Sequence, residues 1–412
     1  MPQSAQPTAA PVAPPGNFLW IVICGCLISV ITFGVRASFG LFNEPLSSAH
    51  GWDREVFALA VAVQNLLWGA GQPVAGALAD RWGTARVLAG GGVLYTAGVL
   101  LMPWADTPAL MMLSAGVLVG LGLAGASFSL VVAVLGRQVP AERRSWAMGL
   151  ATASGSLGQF LYAPMGQGFI GAWGWSTALL LMASSVAVVP LLAVVLRGDG
   201  RSQVHDSPEM SIADTLRHAF AQRSYALLVA GFFTCGFQLA FITVHLPPYL
   251  GDMGVGAELA GWAIGVIGLF NVVGAYASGV AGGRWSKKYL LAWIYIGRAL
   301  AISLFVLLPV TPASVLGFAA VIGLLWLSTV PLTSGLVAVM FGTRYMAMLY
   351  GIVFFSHQVG SFFGVWLGGV MYDRTGSYEL VWWLGVVLSL ISAALHLPIT
   401  ERRAPPAVQP AL

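Results

Sequence analysis

Two arginines, Arg36 and Arg298, lie well inside long apolar runs of this chain, and no acid accompanies them there. Glu44, Asp53, Glu55, Asp106, Asp252, Glu258, Asp373 and Glu379 fall at the ends of such runs, and the other acids fall in the polar stretches between them. A guanidinium held in an apolar helix costs at least about 2.5 kcal/mol on insertion scales, so it faces a cavity or a partner. Where no carboxylate neutralises it, a bound anion is the simplest partner. The guanidinium fork matches a carboxylate through two parallel hydrogen bonds. Each arginine also has a plainer reading. Arg36 stands about 9 Å inside the end of its run at 1.5 Å per residue, within reach of the surface by snorkelling. Arg298 is deeper and can instead bind carbonyls of neighbouring helices.

Polar residues at helical spacing supply candidate neighbours. Gln64 and Trp68 are four apart and share a face, as do His357 and Ser361; Gln159 and Tyr162 are three apart. Gln238, Phe241 and His245 form a similar stripe, and Asn271 is central in its run. Each reads either as a substrate contact or as an interhelical hydrogen bond. Trp68 and Tyr162 suit an apolar or aromatic substrate body. A histidine titrates near neutral pH, so His245 or His357 can carry a proton. His245 precedes Pro247-Pro248, where its helix is expected to end at the membrane interface, and His357 is deeper.

No enzyme chemistry is expected. Cys24 and Cys26 have the wrong spacing for a metal pair on a helix. With Cys235 they make neither a disulfide framework nor a zinc site. Gly-x-Gly strings such as Gly120-Leu-Gly122 lie inside apolar runs with no strand before them. No cofactor and no metal are expected.

The elements that must position these residues follow from composition. Of 412 residues, 58% are hydrophobic and 8% charged, against about 25% charged in soluble domains. So few charges cannot cover a soluble surface, which excludes soluble enzymes, nucleic-acid binders and disordered proteins. Twelve apolar runs near the roughly 20 residues of a membrane span are predicted as helices at 17–42, 56–79, 86–104, 108–135, 145–173, 176–196, 224–250, 257–282, 289–309, 313–340, 345–372 and 379–397. Residues 1–16 read as a disordered cytoplasmic tail, 197–223 as a cytoplasmic linker and 398–412 as a second tail. Lys and Arg cluster at 81–86, 137–144, 197–223, 284–288, 344 and 402–403, all on one side, with only Arg54 and Arg374 on the other. The positive-inside rule then places both termini in the cytoplasm. Pro73 and Pro164 are expected to bend their helices.

The two halves repeat. Gly76-Ala-Leu-Ala-Asp80-Arg81-Trp82 leaves the second helix and Gly279-Val-Ala-Gly-Gly283-Arg284-Trp285 the eighth. Arg144-Ser-Trp-Ala147-Met148 enters the fifth, and Arg344-Tyr-Met-Ala347-Met348 the eleventh. Parallel six-helix repeats, 17–196 and 224–397 here, place a substrate site between the halves at the midplane.

Gly76-x-Leu78-Ala79-Asp80-Arg81-x-Gly83-x-x-Arg86 resembles the signature between helices 2 and 3 of the major facilitator superfamily. The resemblance covers nearly the whole chain. It implies an all-α polytopic fold of two six-helix halves related by a pseudo-two-fold axis. It also implies a cytoplasmic clasp of Gly76, Asp80, Arg81, Gly83, Arg86, Arg144, Arg284 and Arg344 that holds the outward-open state. Arg143-Arg144-x-Trp146-Ala147-x-Gly149-Leu150-Ala151 is similar to the helix 5 entry of monocarboxylate porters and their oxalate/formate-type relatives. In that branch a cation in helix 1 serves the carboxylate, and Arg36 occupies the comparable place. The branch's Asp/Arg pair in helix 8 corresponds to Asn271 and Ala275. Helix 9 is peripheral in the superfamily, which leaves Arg298 open between substrate and helix carbonyls.

The expected function is secondary transport of a small organic anion, a monocarboxylate, by alternating access, proton-coupled or anion-exchanging. Efflux of a drug or other hydrophobic compound is the alternative, disfavoured by the lack of a membrane carboxylate. A membrane sensor or scaffold on a transporter fold is the alternative of another class. Expected partners are the anion, protons and the lipid bilayer of a bacterial-type inner membrane. No nucleic acid and a monomeric state are expected.

Overall fold

The computed structural model describes residues 17–197, 212–342 and 346–402. The predicted tail at 1–16, most of the predicted linker, Arg344 and residues 403–412 lie outside the described residues. Among the described residues every regular element is helical.

The passes are α1 (Asn17–Ala37), α2 (Arg54–Trp82) and α3 (Thr84–Leu101). The fourth, α4, starts at Pro108, breaks after Gly125 and resumes as Phe128–Gln138. A continuous stretch, Ala141–Val186, holds α5 and the first part of α6, which ends as Val189–Val195. The stretch turns at Gly174, whose φ of 79° and ψ of 164° suit a residue without a Cβ. That glycine is what separates the predicted fifth and sixth helices. The second half has α7 (Arg223–Asp252), α8 (Ala257–Arg284), α9 (Lys287–Leu307), α10 (Pro312–Leu325 and Thr329–Phe341), α11 (Met346–Thr375) and α12 (Glu379–His396). Among the described residues, ten helical stretches are long and apolar enough to cross a membrane, and one of them, Trp146–Val195, makes two passes. The more polar α2 completes the twelve.

Three departures from the predicted elements have local causes. The first helix stops at Ala37, turns through a 3-10 segment at Phe39–Phe42 and continues as a short helix, Asn43–His50. The seventh does not end before Pro247; it runs through Pro247 and Pro248 to Asp252. The two prolines lack the N–H groups that would bind the carbonyls of Thr243 and Val244. Gly40 packs against those freed carbonyls, an approach that a Cβ would block. Within the predicted linker, Ile212–Ala221 forms a helix, because Thr215 and Ala219 share a buried face opposite exposed Asp214 and Arg217.

Close packing repeats between the halves. Gly158 lets α5 lie on the Val30 carbonyl of α1, and Gly236 and Gly364 do the same for α7 and α11. Small residues permit such approaches where lipid offers no hydrophobic drive between helices. The buried apolar side chains fall into two clusters, one chiefly within 22–196 and one chiefly within 219–399. Besides the contact of Gly40 with α7, the halves meet along two seams. One is α2 on α11, where Gly69 faces the Gln358 Cβ and Gly369 faces Glu55. The other is α5 on α8, where Gly265 faces Pro164 and Gly268 faces the Ser156 carbonyl.

The seams are shut at one end and parted at the other. At the end carrying Arg54, Asp252 and Asp373, side chains from both halves bond directly. At the end carrying Asp80, a Cβ added at Gly76, Gly149 or Gly351 would meet nothing within 4 Å, and Tyr276 of α8 is 76% exposed.

Candidate functional site

Arg36 occupies the last turn of α1, where unpaired carbonyls and the helix dipole favour a cation. This is how the chain tolerates a buried guanidinium without a carboxylate. Arg36 Nη2 donates to Asn65 Oδ1 on α2, and its Cζ lies 4.8 Å from the centre of the Trp68 ring. Its Nε is buried and has no partner. Trp68 is edge-on to Phe33 of α1, with ring centres 6.4 Å apart, and to Phe354 of α11 at 5.6 Å. Phe354 stacks on His357 at 5.7 Å with the rings 9° from parallel. His357 Nδ1 is 3.3 Å from Gln358 Oε1. A continuous row, Arg36–Trp68–Phe354–His357, therefore crosses from one half to the other where the seam begins to part.

Three buried nitrogen donors in this region lack an acceptor: Arg36 Nε, Trp68 Nε1 and Gln358 Nε2. Buried polar groups without partners are rare and costly. Three unmatched donors beside one fixed positive charge describe a place for an acceptor-rich, negatively charged group. Among the described residues, no Asp or Glu pairs with Arg36.

Tyr162 packs on α1 beside this row's first helix, with Ser185 of α6 as its hydrogen-bond partner. It is 8% exposed and its ring packs against Gly34 on α1. The other predicted residues lie elsewhere. Gln64 turns to the opposite side of α2 and donates to the Ala115 carbonyl of α4 at 2.9 Å. Gln159 donates across the α5–α8 seam to the Ile264 carbonyl at 3.1 Å. Asn271 donates to Ser156 Oγ at 2.8 Å and accepts from the Leu327 N–H at 2.9 Å. Ser361 donates to the Gly236 carbonyl.

Arg298 is fully buried. Its Nε and Nη2 donate to the Leu325 carbonyl at 3.1 and 2.7 Å, and Nη2 also donates to the Trp326 carbonyl. These carbonyls border the gap in α10. Gln238, 3.5 Å from Arg298 Nη1, donates to the Gly385 carbonyl and to Ser389 Oγ on α12. Arg298, Gln238 and Asn271 thus gather around the broken α10 and away from Arg36. His245 is fully buried, not at an interface, because α7 continues past it. Its Nε2 bonds the Val365 carbonyl at 2.8 Å, and it packs against Phe241 and Tyr378.

Asn65, Phe354 and Gln358 line the candidate site and are absent from the sequence expectations. Two of them had a signal: Asn65 is one turn before Trp68, and Phe354 is one turn before His357. Helical neighbours at that spacing share a face.

At the shut end, Arg54 makes two hydrogen bonds to Asp252, donates to the Tyr378 hydroxyl at 3.0 Å and lies 3.9 Å over the Tyr372 ring. Burial pushes the Tyr378 phenol well up, so it accepts as a neutral hydroxyl. Asp373 accepts from the Arg54 and Glu55 N–H groups at 3.1 and 2.7 Å, capping α2, and Trp366 donates to Glu55. At the parted end, Gly83 takes φ 90° between α2 and α3. Asp80 pairs with Arg137 of its own half at 3.4 Å, and Arg81, Arg86 and Arg284 are exposed. Among the described residues, Asp80 makes no ion pair to the other half. Arg144 lies in α5, and Arg344 lies outside the described residues.

A family model described as Major Facilitator Superfamily matches residues 25–365. The chain is 25% identical over 401 residues to the uncharacterized MFS-type transporter YcxA of Bacillus subtilis (strain 168), covering 92% of this chain and 94% of that protein. It is 29% identical over 426 residues to monocarboxylate transporter 11 of Homo sapiens, covering 96% and 86%. Its fold is similar to the crystal structure of the nucleoside transporter NupG, with a TM-score of 0.77 at 12% identity over 92% of this chain and 99% of that one. The twelve passes, the paired halves and the match over most of the length agree: the chain belongs to the major facilitator superfamily and is a multi-pass membrane transporter, not an enzyme.

Proposed function

We propose that this transporter carries a small organic monoanion, a monocarboxylate, across a plasma membrane by alternating access, with Arg36 receiving the carboxylate. The observation that carries this reading is the set of three buried, acceptor-less donors, Arg36 Nε, Trp68 Nε1 and Gln358 Nε2, where the two halves meet. One half contributes two of these groups and the other half the third, so a ligand bridging them couples its own binding to the relative position of the halves. Relatives named as monocarboxylate transporters support the same class.

The one-sided Lys and Arg distribution supports cytoplasmic termini. With that orientation the Arg54 end is external and shut, and the site opens inward. His357, half-buried beside Phe354, is the histidine we assign to proton coupling, should the transport be proton-coupled.

Uptake of labelled lactate and benzoate into proteoliposomes, with and without an imposed pH gradient, tests the proposal. Accumulation of either by the intact protein and its loss in Arg36→Gln, with membrane insertion unchanged, is the expected result. Unimpaired uptake by Arg36→Gln overturns the role of Arg36, and no carboxylate uptake overturns the substrate class.

A further inference from the structure

Asn65 sits where a counter-ion to Arg36 would be expected. Its Nδ2 donates to the Val61 carbonyl one turn earlier at 2.8 Å, and its Oδ1 accepts from Arg36 Nη2. Both contacts are satisfied in one orientation of the amide only, since Val61 offers an acceptor and Arg36 a donor. Asn65 is fully buried, so the arrangement is not an incidental surface contact.

What distinguishes Asn65 is its charge. An aspartate is the same size and reaches the same atom, but it would neutralise Arg36 from within the protein. A buried arginine with its own carboxylate holds that partner tightly and leaves little field for a second anion. Among the described residues, no acid pairs with Arg36. Tyr95 packs on α1 with its hydroxyl donating to the Thr32 carbonyl, one turn before Arg36. Trp68 and Phe33 present rings, and Phe354 and His357 face them from α11. The site therefore carries one positive charge, held in place by a neutral acceptor.

We propose that Asn65 is a specificity-determining residue: it orients Arg36 while leaving its charge unmatched, and so sets the site to take a substrate with a single negative charge. This rests on the reading of Arg36 as the substrate's cation partner.

The test uses the full chain in proteoliposomes, with labelled lactate and benzoate as probes and three variants at one position. Asn65→Asp should raise KM for the monoanion at least about tenfold, the loss of one charge-assisted contact, with membrane insertion intact. Asn65→Ser, which keeps a neutral acceptor, should stay within about threefold of the parent. Asn65→Leu removes the acceptor but leaves the charge; its KM should stay near the parent or fall, while its maximal rate drops as Arg36 loses orientation. A merely structural asparagine predicts the opposite split, with Asp tolerated as the isostere and Leu damaging. An unchanged KM in Asn65→Asp, or equal KM losses in Asp and Leu, overturns the proposal. Arg36→Gln run in parallel separates the two failures. If Arg36→Gln abolishes uptake and Asn65→Asp does not alter KM, the charge-setting role of Asn65 alone falls. If Arg36→Gln transports normally, the carboxylate assignment falls and takes this one with it.

Discussion

The guanidinium of Arg54 on α2 and the carboxylate of Asp252 on α7 face one another through two hydrogen bonds of 2.7 and 2.8 Å, one residue from each half. They close the end of the molecule opposite to the clasp. The pair is partly exposed, with side-chain exposures of 12% and 27%, so its worth is about 1 kcal/mol. Asp252→Asn should therefore shift the population of the shut end toward opening by about fivefold. Labelling of Ala58→Cys, a fully buried position beneath the pair that packs on Gly369, by a membrane-impermeant maleimide measures this. The exchanged pair Arg54→Asp with Asp252→Arg should recover most of the closure, and equal labelling in all three proteins would remove the pair from the gate.

Arg298 and Arg36 should separate cleanly under mutation. Arg298 satisfies two carbonyls at the α10 gap, and buried hydrogen bonds to a charged donor are worth about 1.5–3 kcal/mol each. Arg298→Ala should lower the melting temperature in detergent strongly, while the folded fraction keeps the parental KM for a carboxylate. Arg36→Gln should do the reverse. An Arg298→Ala protein of parental stability that fails to bind carboxylate would place Arg298 at the substrate.

The two central histidines should differ under mutation. His357 faces the parting seam, and His245 is sealed against Val365 and Tyr378. His357→Gln should lower carboxylate uptake with little loss of thermal stability. His245→Gln should lose thermal stability and keep the parental KM. The opposite split would reverse the assignment.

Asp80 should matter little to the stability of this state. Its partner Arg137 belongs to the same half, and both are exposed, at 60% and 38%. Asp80→Asn should change stability here by no more than about 0.5 kcal/mol. Its effect should instead fall on the rate of exchange across the membrane, where the clasp must re-form. A large drop in melting temperature would mean that the clasp is already engaged.

Much of the architecture was legible because lipid leaves few alternatives. Apolar run length gave the twelve passes, including the break at 174–175 where the structure turns at Gly174, and the duplicated Arg-containing motifs gave the repeat. The site was legible in part. Arg36 announced itself as a charge without an acid, and Trp68 and His357 as polar or aromatic side chains on apolar helices. Asn65, one turn before Trp68, could not be told from Gln64, four residues before it; only the rotation of α2 sends one to Ala115 and the other to Arg36. Arg298 carried the same signal as Arg36. What separates them is a gap in α10 at Trp326-Leu327-Ser328, whose trace in the residue order is Pro331, four residues after Leu327, which cannot bond the Leu327 carbonyl. Pro247 and Pro248 misdirected the end of α7, since the freed carbonyls found their neighbour in a distant glycine, Gly40.

The gap in α10 has a mechanical consequence. Arg298 fills the carbonyls on its near side, and Asn271 fills the Leu327 amide within it. With these ends tied from α9 and α8, the gap is a poor hinge. Under the alternating access proposed above, the swing would fall instead where the halves meet, with Asn271, bonded through Ser156 to the other half, at one such place.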